Sequence, residues 1–575
     1  MSLDIKITGA TILDGTGGDR FTADIGVSDG RICEIGRIST AASRVIDADG
    51  AIVTPGFIDM HTHYDAQVLW DQDLIASSRN GVTTAVMGNC GVGCAPFVPA
   101  IRDDLISLLE GVEDIPTSAL EAALDWKWSG FGSYLDKVDE LPRTINLAAY
   151  VAHAPMRMIA MGERAYDGSA PGEDDIAAMN ALLSEALAAG AAAFSTDRIG
   201  LHQTGDGRQV PDFHAPREEV LSLARTVARF GGRPIQFASD FGMIGTEEDT
   251  LRELSILREL TSLDLPLIVP LQQYPCEGGW RRLASDIGEM TRQGAKIAFE
   301  ACARAIGVLM GLEALVHPFC RHPSYMEIAD LPLAERARRM RDPAFRARLM
   351  AEQPQFGAND GRVRRRFDQM YQHADHIFLM ESSATYEPDP EKSIKSIAER
   401  TGKTLEEVFY EALTAKGGKQ FLYFPIANFA DGKLDEQREI LNLPNSLFSF
   451  GDAGAHLAQI CDAAYSSFAL MHWGRDRPEG LPLEMLVRKM TGAQADLFGF
   501  TDRGRIAVGA MADLNIIDHA AMKLEDPQML HDLPGGASRL MQCAEGYIAT
   551  LVGGLSIAEN DNLTGALPGK LLRSA

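Results

Sequence analysis

Several absences narrow the class of this 575-residue chain. No apolar run approaches the ~18 residues that span a bilayer, so no transmembrane helix is expected. Positive charge is scarce: 54 Lys and Arg against 80 Asp and Glu leave a formal net charge of −26. A phosphate backbone or an anionic membrane surface would be repelled, which argues against nucleic acid and lipid as partners. Cysteines are few and unpatterned. Cys33, Cys90, Cys94, Cys276, Cys302, Cys320, Cys461 and Cys543 follow no disulfide spacing and read as the reduced thiols of a cytoplasmic protein. The opening Met1–Lys6 holds no apolar signal region. Internal repeats, coiled-coil heptads and low-complexity tails are also missing. What is present is a chain with 46% apolar residues, long enough for two or three domains or for one large barrel with additions.

The first fifty or so residues read as short strands with tight turns at Asp14–Gly18, Asp29-Gly30 and Asp49-Gly50. The C-terminal end has the same texture around Gly504–Gly509, Ala512–Asp518 and Tyr547–Val552. One small β-sandwich domain built from both termini, residues 1–51 plus 503–575, is therefore expected. Between them, eight apolar runs alternate with amphipathic helical stretches: Ile52–Met60, Val82–Gly88, Ile145–Val151, Ala191–Ser195, Pro234–Ala238, Leu265–Gln272, Ala295–Phe299 and Ser446–Gly451. Buried strands alternating with helices imply an α/β fold with a parallel sheet, here a (β/α)8 TIM barrel over residues 52–502. A long helical insertion, residues 303–445, separates strands 7 and 8. It carries the arginine-rich Leu333–Met340 and Arg362–Arg366, and Glu391–Ala415 reads as two short helices joined at Thr401-Gly402-Lys403. A lid or an oligomer contact suits an insertion on the active face better than nucleic-acid binding does.

Barrel enzymes place their chemistry where strands enter the following loops. The first run ends in His61 and His63. Residues i and i+2 of a strand share a face, so both imidazoles project into one space, where a metal could be held. The second run leads to Cys90 in a glycine-rich bend, either a thiolate ligand or a buried small hydrophobe. The eighth ends at Asp452; an ion after a buried strand must be paired, ligated or catalytic. His153 ends the third run and reads as a substrate or metal contact, or as a satisfied core-rim histidine. His456 lies four residues past Asp452, within reach of the same cavity. Arg157 and Arg198 are candidate anchors for a substrate carboxylate, with salt bridging as the plainer alternative. Gln236 and Gln272 stand at the fifth and sixth strands, and Glu300 and Cys302 at the seventh.

The run Pro55–His63 resembles the first-strand motif of the amidohydrolase superfamily, and Gly504–Leu514 resembles its return to the small β domain. Gly81–Thr84 through Gly88–Gly91, with the ending Thr564–Lys570, is similar to the D-aminoacylase (N-acyl-D-amino-acid deacylase) branch. The resemblance implies a metal-dependent hydrolase in which His61, His63, Cys90 and Asp452 match metal positions. It also implies histidines after the fifth and sixth strands, where this chain has Gln236-Phe237 and Leu271-Gln272. The fourth strand offers no lysine for a bridging carbamate. The branch's carboxylate-binding arginine, soon after the eighth-strand aspartate, has no match before Arg475.

The expectation is thus an amidohydrolase acting on non-peptide C–N bonds, with one divalent metal per subunit rather than two, zinc first among candidates. Its substrate would be a small-molecule amide, an N-acyl-D-amino acid above others. Asp452 would take the proton from metal-activated water as general base and later return it to the leaving nitrogen, with His153, Gln236 or Gln272 donating to the oxyanion. The alternatives are a cyclic amide or lactone hydrolase, a deaminase, or a non-catalytic barrel that lost its second metal site. A homo-oligomer is expected, with neither nucleic acid nor membrane as partner.

Overall fold

The computed structural model describes residues 2–241, 246–274, 279–357, 361–380 and 386–574. Cys276 and the side chain of Arg362 lie outside the described residues. The other seven cysteines are free thiols, and no helix among the described residues is long and apolar enough to cross a membrane.

Eight parallel strands form the central sheet: β1 (Phe57–Thr62), β2 (Val82–Met87), β3 (Asn146–Ala152), β4 (Ala193–Arg198), β5 (Ile235–Ser239), β6 (Leu267–Pro270), β7 (Ile297–Ala301) and β8 (Ser446–Phe448). Each pairs with the next in chain order, from β1 to β8. The ring is drawn together just beyond the strand ends, where the His63 N–H donates to the Ala453 carbonyl at 2.8 Å. Seven of the eight strands are buried along their whole length. That explains why they read as continuous apolar runs rather than alternating ones. Met60, Val86, Tyr150, Ile268, Ala298 and Leu447 fill one cluster with Phe498, so the barrel is packed rather than hollow.

The expected strand Ile52–Met60 is two strands. Ile52–Pro55 pairs antiparallel with Leu514–Ile517 and parallel with Thr11-Ile12, inside a nine-stranded sheet made from both chain ends. The chain leaves that sheet at Gly56 and enters the barrel at Phe57. A Cβ on Gly56 would lie 2.1 Å from Thr83 Oγ1, so only glycine lets the two sheets meet there. Ile5, Ile7, Ile25, Val53, Ile516 and Leu551 give the terminal sheet a core of its own.

The insertion is helical, as expected, but it also holds a three-stranded antiparallel sheet that the sequence did not reveal. Leu422–Ala427 lies between Ile306–Met310 and Phe378–Leu379. The expected helix pair is present as Ile394–Thr401 and Leu405–Thr414. Gly402 (φ +68°) ends the first in the left-handed conformation, and Thr404 caps the second through a reciprocal box with Glu407.

Candidate metal centre

The turn after β2 and the turn after β8 bend back over the mouth of the barrel beside the end of β1. Cys90 (φ +51°) and Asp452 (φ +46°) both occupy the left-handed region, which costs a residue with a Cβ and tends to persist at functional positions. The result is convergence. His61, His63 and Cys90 offer donor atoms all within 4.8 Å of one another, and all three are buried. Cys90 Sγ is 3.4 Å from His61 Nε2. Asp452 Oδ1 is 3.1 Å from His61 Nε2 and 3.6 Å from His63 Nε2. The edges of a tetrahedral zinc site with mixed N, O and S ligands are about 3.3–3.6 Å, so these separations suit one cation.

The far side of each ring is held as well. Glu300 Oε2 lies 2.9 Å from His61 Nδ1, and Glu113 Oε1 lies 3.1 Å from His63 Nδ1. A carboxylate at ion-pair distance behind each imidazole favours a proton on Nδ1 and so Nε2 toward the centre, the usual second-sphere arrangement of metal-binding histidines. Gln236 completes the lattice. Its Nε2 lies 3.2 Å from His61 Nδ1 and donates to Glu300 at 3.1 Å, while its Oε1 accepts the Cys90 N–H at 2.7 Å. Beneath β1, Asp59 accepts from the His61 N–H and from Ser449 Oγ. Burial still pushes its carboxyl up to about 7.

The buried charges at the centre are unbalanced. Asp452, Glu113 and Glu300 surround two imidazoles, and Glu300 Oε1 has no hydrogen-bond partner among the described residues. Burial opposes charge on His61, but Glu300, Cys90 and Asp452 hold the ring well above the ordinary imidazole range. Burial likewise works against ionised Asp452, yet the two imidazoles hold it well below the usual carboxylate range. Such a site calls for positive charge, and a divalent cation among His61, His63 and Cys90, with Asp452 beside the two imidazoles, would supply it.

Other residues singled out in the sequence lie elsewhere or act differently. His153 is fully buried, with Nδ1 2.9 Å from Thr196 Oγ1 and Nε2 2.8 Å from Glu219 Oε1. Arg157 Nε meets the same Glu219 oxygen at 2.9 Å. Arg198 makes a two-pronged pair with Glu253 and donates to the Ala215 carbonyl. These three are thus internal ties rather than substrate anchors, with partners Glu219 and Glu253 on the surrounding helices. Gln272 accepts from Asn428 and donates to the Glu300 carbonyl. Gln236 positions His61 instead of facing substrate. Arg475 is engaged with Asp476 and with the carbonyls of His519, Ala520 and Met522. His456 stays at the rim, its Nδ1 3.1 Å from Asp114 Oδ2. Glu113 escaped the sequence reading because it ends a helix, Arg102–Glu113, and follows no strand. Glu300 stood at a strand end, but nothing in the sequence tied it to His61.

The profile of the amidohydrolase family matches residues 44–558. Among characterised relatives, the chain is 27% identical to a D-aminoacylase of Alcaligenes xylosoxydans xylosoxydans over 525 residues, 90% of this chain and 89% of that one. It is 28% identical to an N-acyl-D-glutamate deacylase of the same organism over 529 residues, 90% of this chain and 87% of the relative. Among solved structures, an N-acyl-D-glutamate deacylase from Bordetella bronchiseptica, complexed with zinc and a phosphonate inhibitor, superposes with a TM-score of 0.62 at 25% identity, covering 100% of both chains. A D-aminoacylase structure gives 0.64 at 23% identity over 99% of this chain and 100% of that one, which supports the common fold.

Proposed function

Because the chain belongs to the amidohydrolase family, a metal-dependent group of hydrolases acting on non-peptide C–N bonds, we propose that its substrate is an N-acyl amino acid, of D configuration, deacylated at a single-metal centre. The observation that supports this reading is the cluster of His61, His63 and Cys90, with Asp452 beside both imidazoles and a further buried carboxylate behind each ring. The similarity to deacylases of N-acyl-D-amino acids supports the substrate class.

The donor set fits a divalent cation of zinc type: two imidazoles, a thiolate and a carboxylate. Bound there, it would acidify a water and polarise the scissile carbonyl. The residues at the fifth and sixth strands favour one cation over two. Gln236 and Gln272 stand where two further histidines would be needed, and both amides are engaged with protein partners. The chain's own residues do the rest. Glu300 and Glu113 hold the imidazoles in register. Phe450 packs against the His61 ring at 4.5 Å and keeps water from that flank. Asp452 turns Oδ1 toward both imidazoles and takes the proton from the attacking water with Oδ2. The enzyme is read as a cytoplasmic homo-oligomer with a small-molecule substrate.

Metal analysis of purified protein tests the centre, and a substrate panel tests the class. Wild type should carry about one equivalent of metal, and His61→Ala/His63→Ala less than about a tenth. Equal content in both would reject the centre. Among N-acyl-D-amino acids, N-acyl-L-amino acids, cyclic amides and lactones, the first group should be turned over best. Turnover confined to cyclic amides or lactones would reject the substrate while leaving the centre intact. Asp452→Asn should fold, yet lose nearly all activity.

A further inference from the structure

The turn that carries Asp452 also carries an aromatic side chain on a strained backbone. Phe450 follows the last barrel strand by two residues and has φ +71°, in the left-handed region. A bulky residue seldom stays there, because its Cβ crowds the backbone, and glycine would relieve the strain. The chain is pinned on both sides. Before Phe450, the Ser449 N–H donates to the Ala301 carbonyl at 3.1 Å and the Ser449 hydroxyl donates to Asp59 Oδ1 at 2.9 Å. After it, Gly451 is so enclosed that a Cβ there would lie 2.9 Å from Asp59 Oδ2 and from the Tyr465 ring. Held in this way, the Phe450 ring lies against His61, with centroids 4.5 Å apart and planes inclined at 45°.

His61 does not need that ring. Its Nδ1 faces Glu300 at 2.9 Å and Gln236 at 3.2 Å, its Nε2 faces Asp452 at 3.1 Å, and its N–H donates to Asp59. What Phe450 adds is apolar surface. His61, His63, Cys90 and Asp452 are all buried, whereas Phe450 is only partly so. On the Cys90 side, Ile199 and Ala238 form one apolar contact group with the thiol. Arg157, Arg198 and Arg475, by contrast, are engaged with Glu219, Glu253 and Asp476. Strain that persists at a functional turn points to a role for the side chain that bears it. We propose that Phe450 is a specificity-determining residue: its open face packs against an apolar group borne next to the scissile amide, on the acyl carbon or as the amino-acid side chain. This rests on the amide-hydrolase reading above and narrows it to substrates met at that point by apolar contact rather than by charge.

The test uses full-length enzyme with its metal and two series of N-acyl-D-amino acids. One series varies the acyl group from formyl through butanoyl to hexanoyl on D-alanine. The other keeps the acetyl group and varies the side chain from D-alanine through D-leucine to D-phenylalanine. Wild type should favour the larger apolar members of at least one series. Phe450→Gly adopts φ +71° without strain, so the turn should keep its course and metal content should match wild type. In that variant kcat/KM for the largest member should fall about 10-fold further than for the smallest, the scale of an apolar contact in a substrate pocket. Phe450→Leu should restore much of the difference. The series in which the preference falls identifies the group that meets the ring. Equal losses across both series, no loss in either, a loss of metal, or a wild type indifferent to size would each overturn the inference. If wild type hydrolyses no N-acyl amino acid, the reading it rests on fails and takes this inference with it, a result distinct from all of these.

Discussion

Glu300 Oε2 lies 2.9 Å from His61 Nδ1, on the side of the ring opposite Asp452. The contact decides which ring nitrogen faces the centre. Glu300→Gln keeps the shape but loses the charge that favours Nδ1–H. Metal affinity should fall about 10- to 100-fold, as when comparable outer-sphere partners are removed. Chelator competition measures it, and unchanged affinity would show that the Glu300 charge does not set the ring's tautomer.

Arg157 and Glu219 form a buried pair joined by His153. Arg157→Met removes one partner and strands the other's charge, at a cost of about 3–5 kcal/mol. Denaturant unfolding should register that loss while KM for substrate stays within about twofold. A large rise in KM without loss of stability would return Arg157 to the role of substrate anchor.

Gly56 is the hinge between the terminal sheet and the barrel. Gly56→Ala would drive a methyl into Thr83, whose Oγ1, Cγ2 and Cβ all lie within 2.6 Å of the new atom. Overpacking of this kind costs about 3 kcal/mol. Gly56→Ala/Thr83→Gly should recover part of it. A lowered melting temperature with no recovery in the double variant would place the strain in the backbone rather than against Thr83.

His317, in the insertion, gives a pH signature remote from the metal. It is buried, and its Nδ1 accepts the Phe319 N–H at 3.2 Å, so the ring is neutral. Burial first, then Arg336 and His322, lowers it to about 3. The unfolded chain takes up this proton near the ordinary value of 6.5, before the folded chain does. Stability is therefore complete above pH 6.5 and falls as pH drops toward 3, by about 1.4 kcal/mol per pH unit across that window. His317→Asn should be less stable at pH 7.5 yet show a flatter decline between pH 6.5 and 4.5. A decline as steep as wild type would assign the acid sensitivity to other groups.

Much of the fold was legible because it rests on short-range pattern. Eight buried parallel strands leave eight apolar runs, and the helices between them leave amphipathic spacing. The insertion's small sheet was not legible, because its middle strand, Leu422–Ala427, meets its neighbours across more than forty residues of chain. Division of the first run at Gly56 was equally hidden, since both halves are apolar and only their partners differ.

Within the site, the sequence alone determined what stands at the strand ends: His61 and His63 on one face, Asp452 after the last strand, and no histidine at Gln236 or Gln272. Period-two geometry and the fixed direction of parallel strands are enough for that. Only tertiary structure decided which polar groups face the centre and which are satisfied elsewhere. Arg157 and Arg198 looked like anchors until Glu219 and Glu253, on neighbouring helices, claimed them. Glu113 looked like nothing until the chain brought it behind His63. A side chain's type fixes what it can bind, but a buried charge must find its partner in space, and that partner is chosen by packing across the whole barrel.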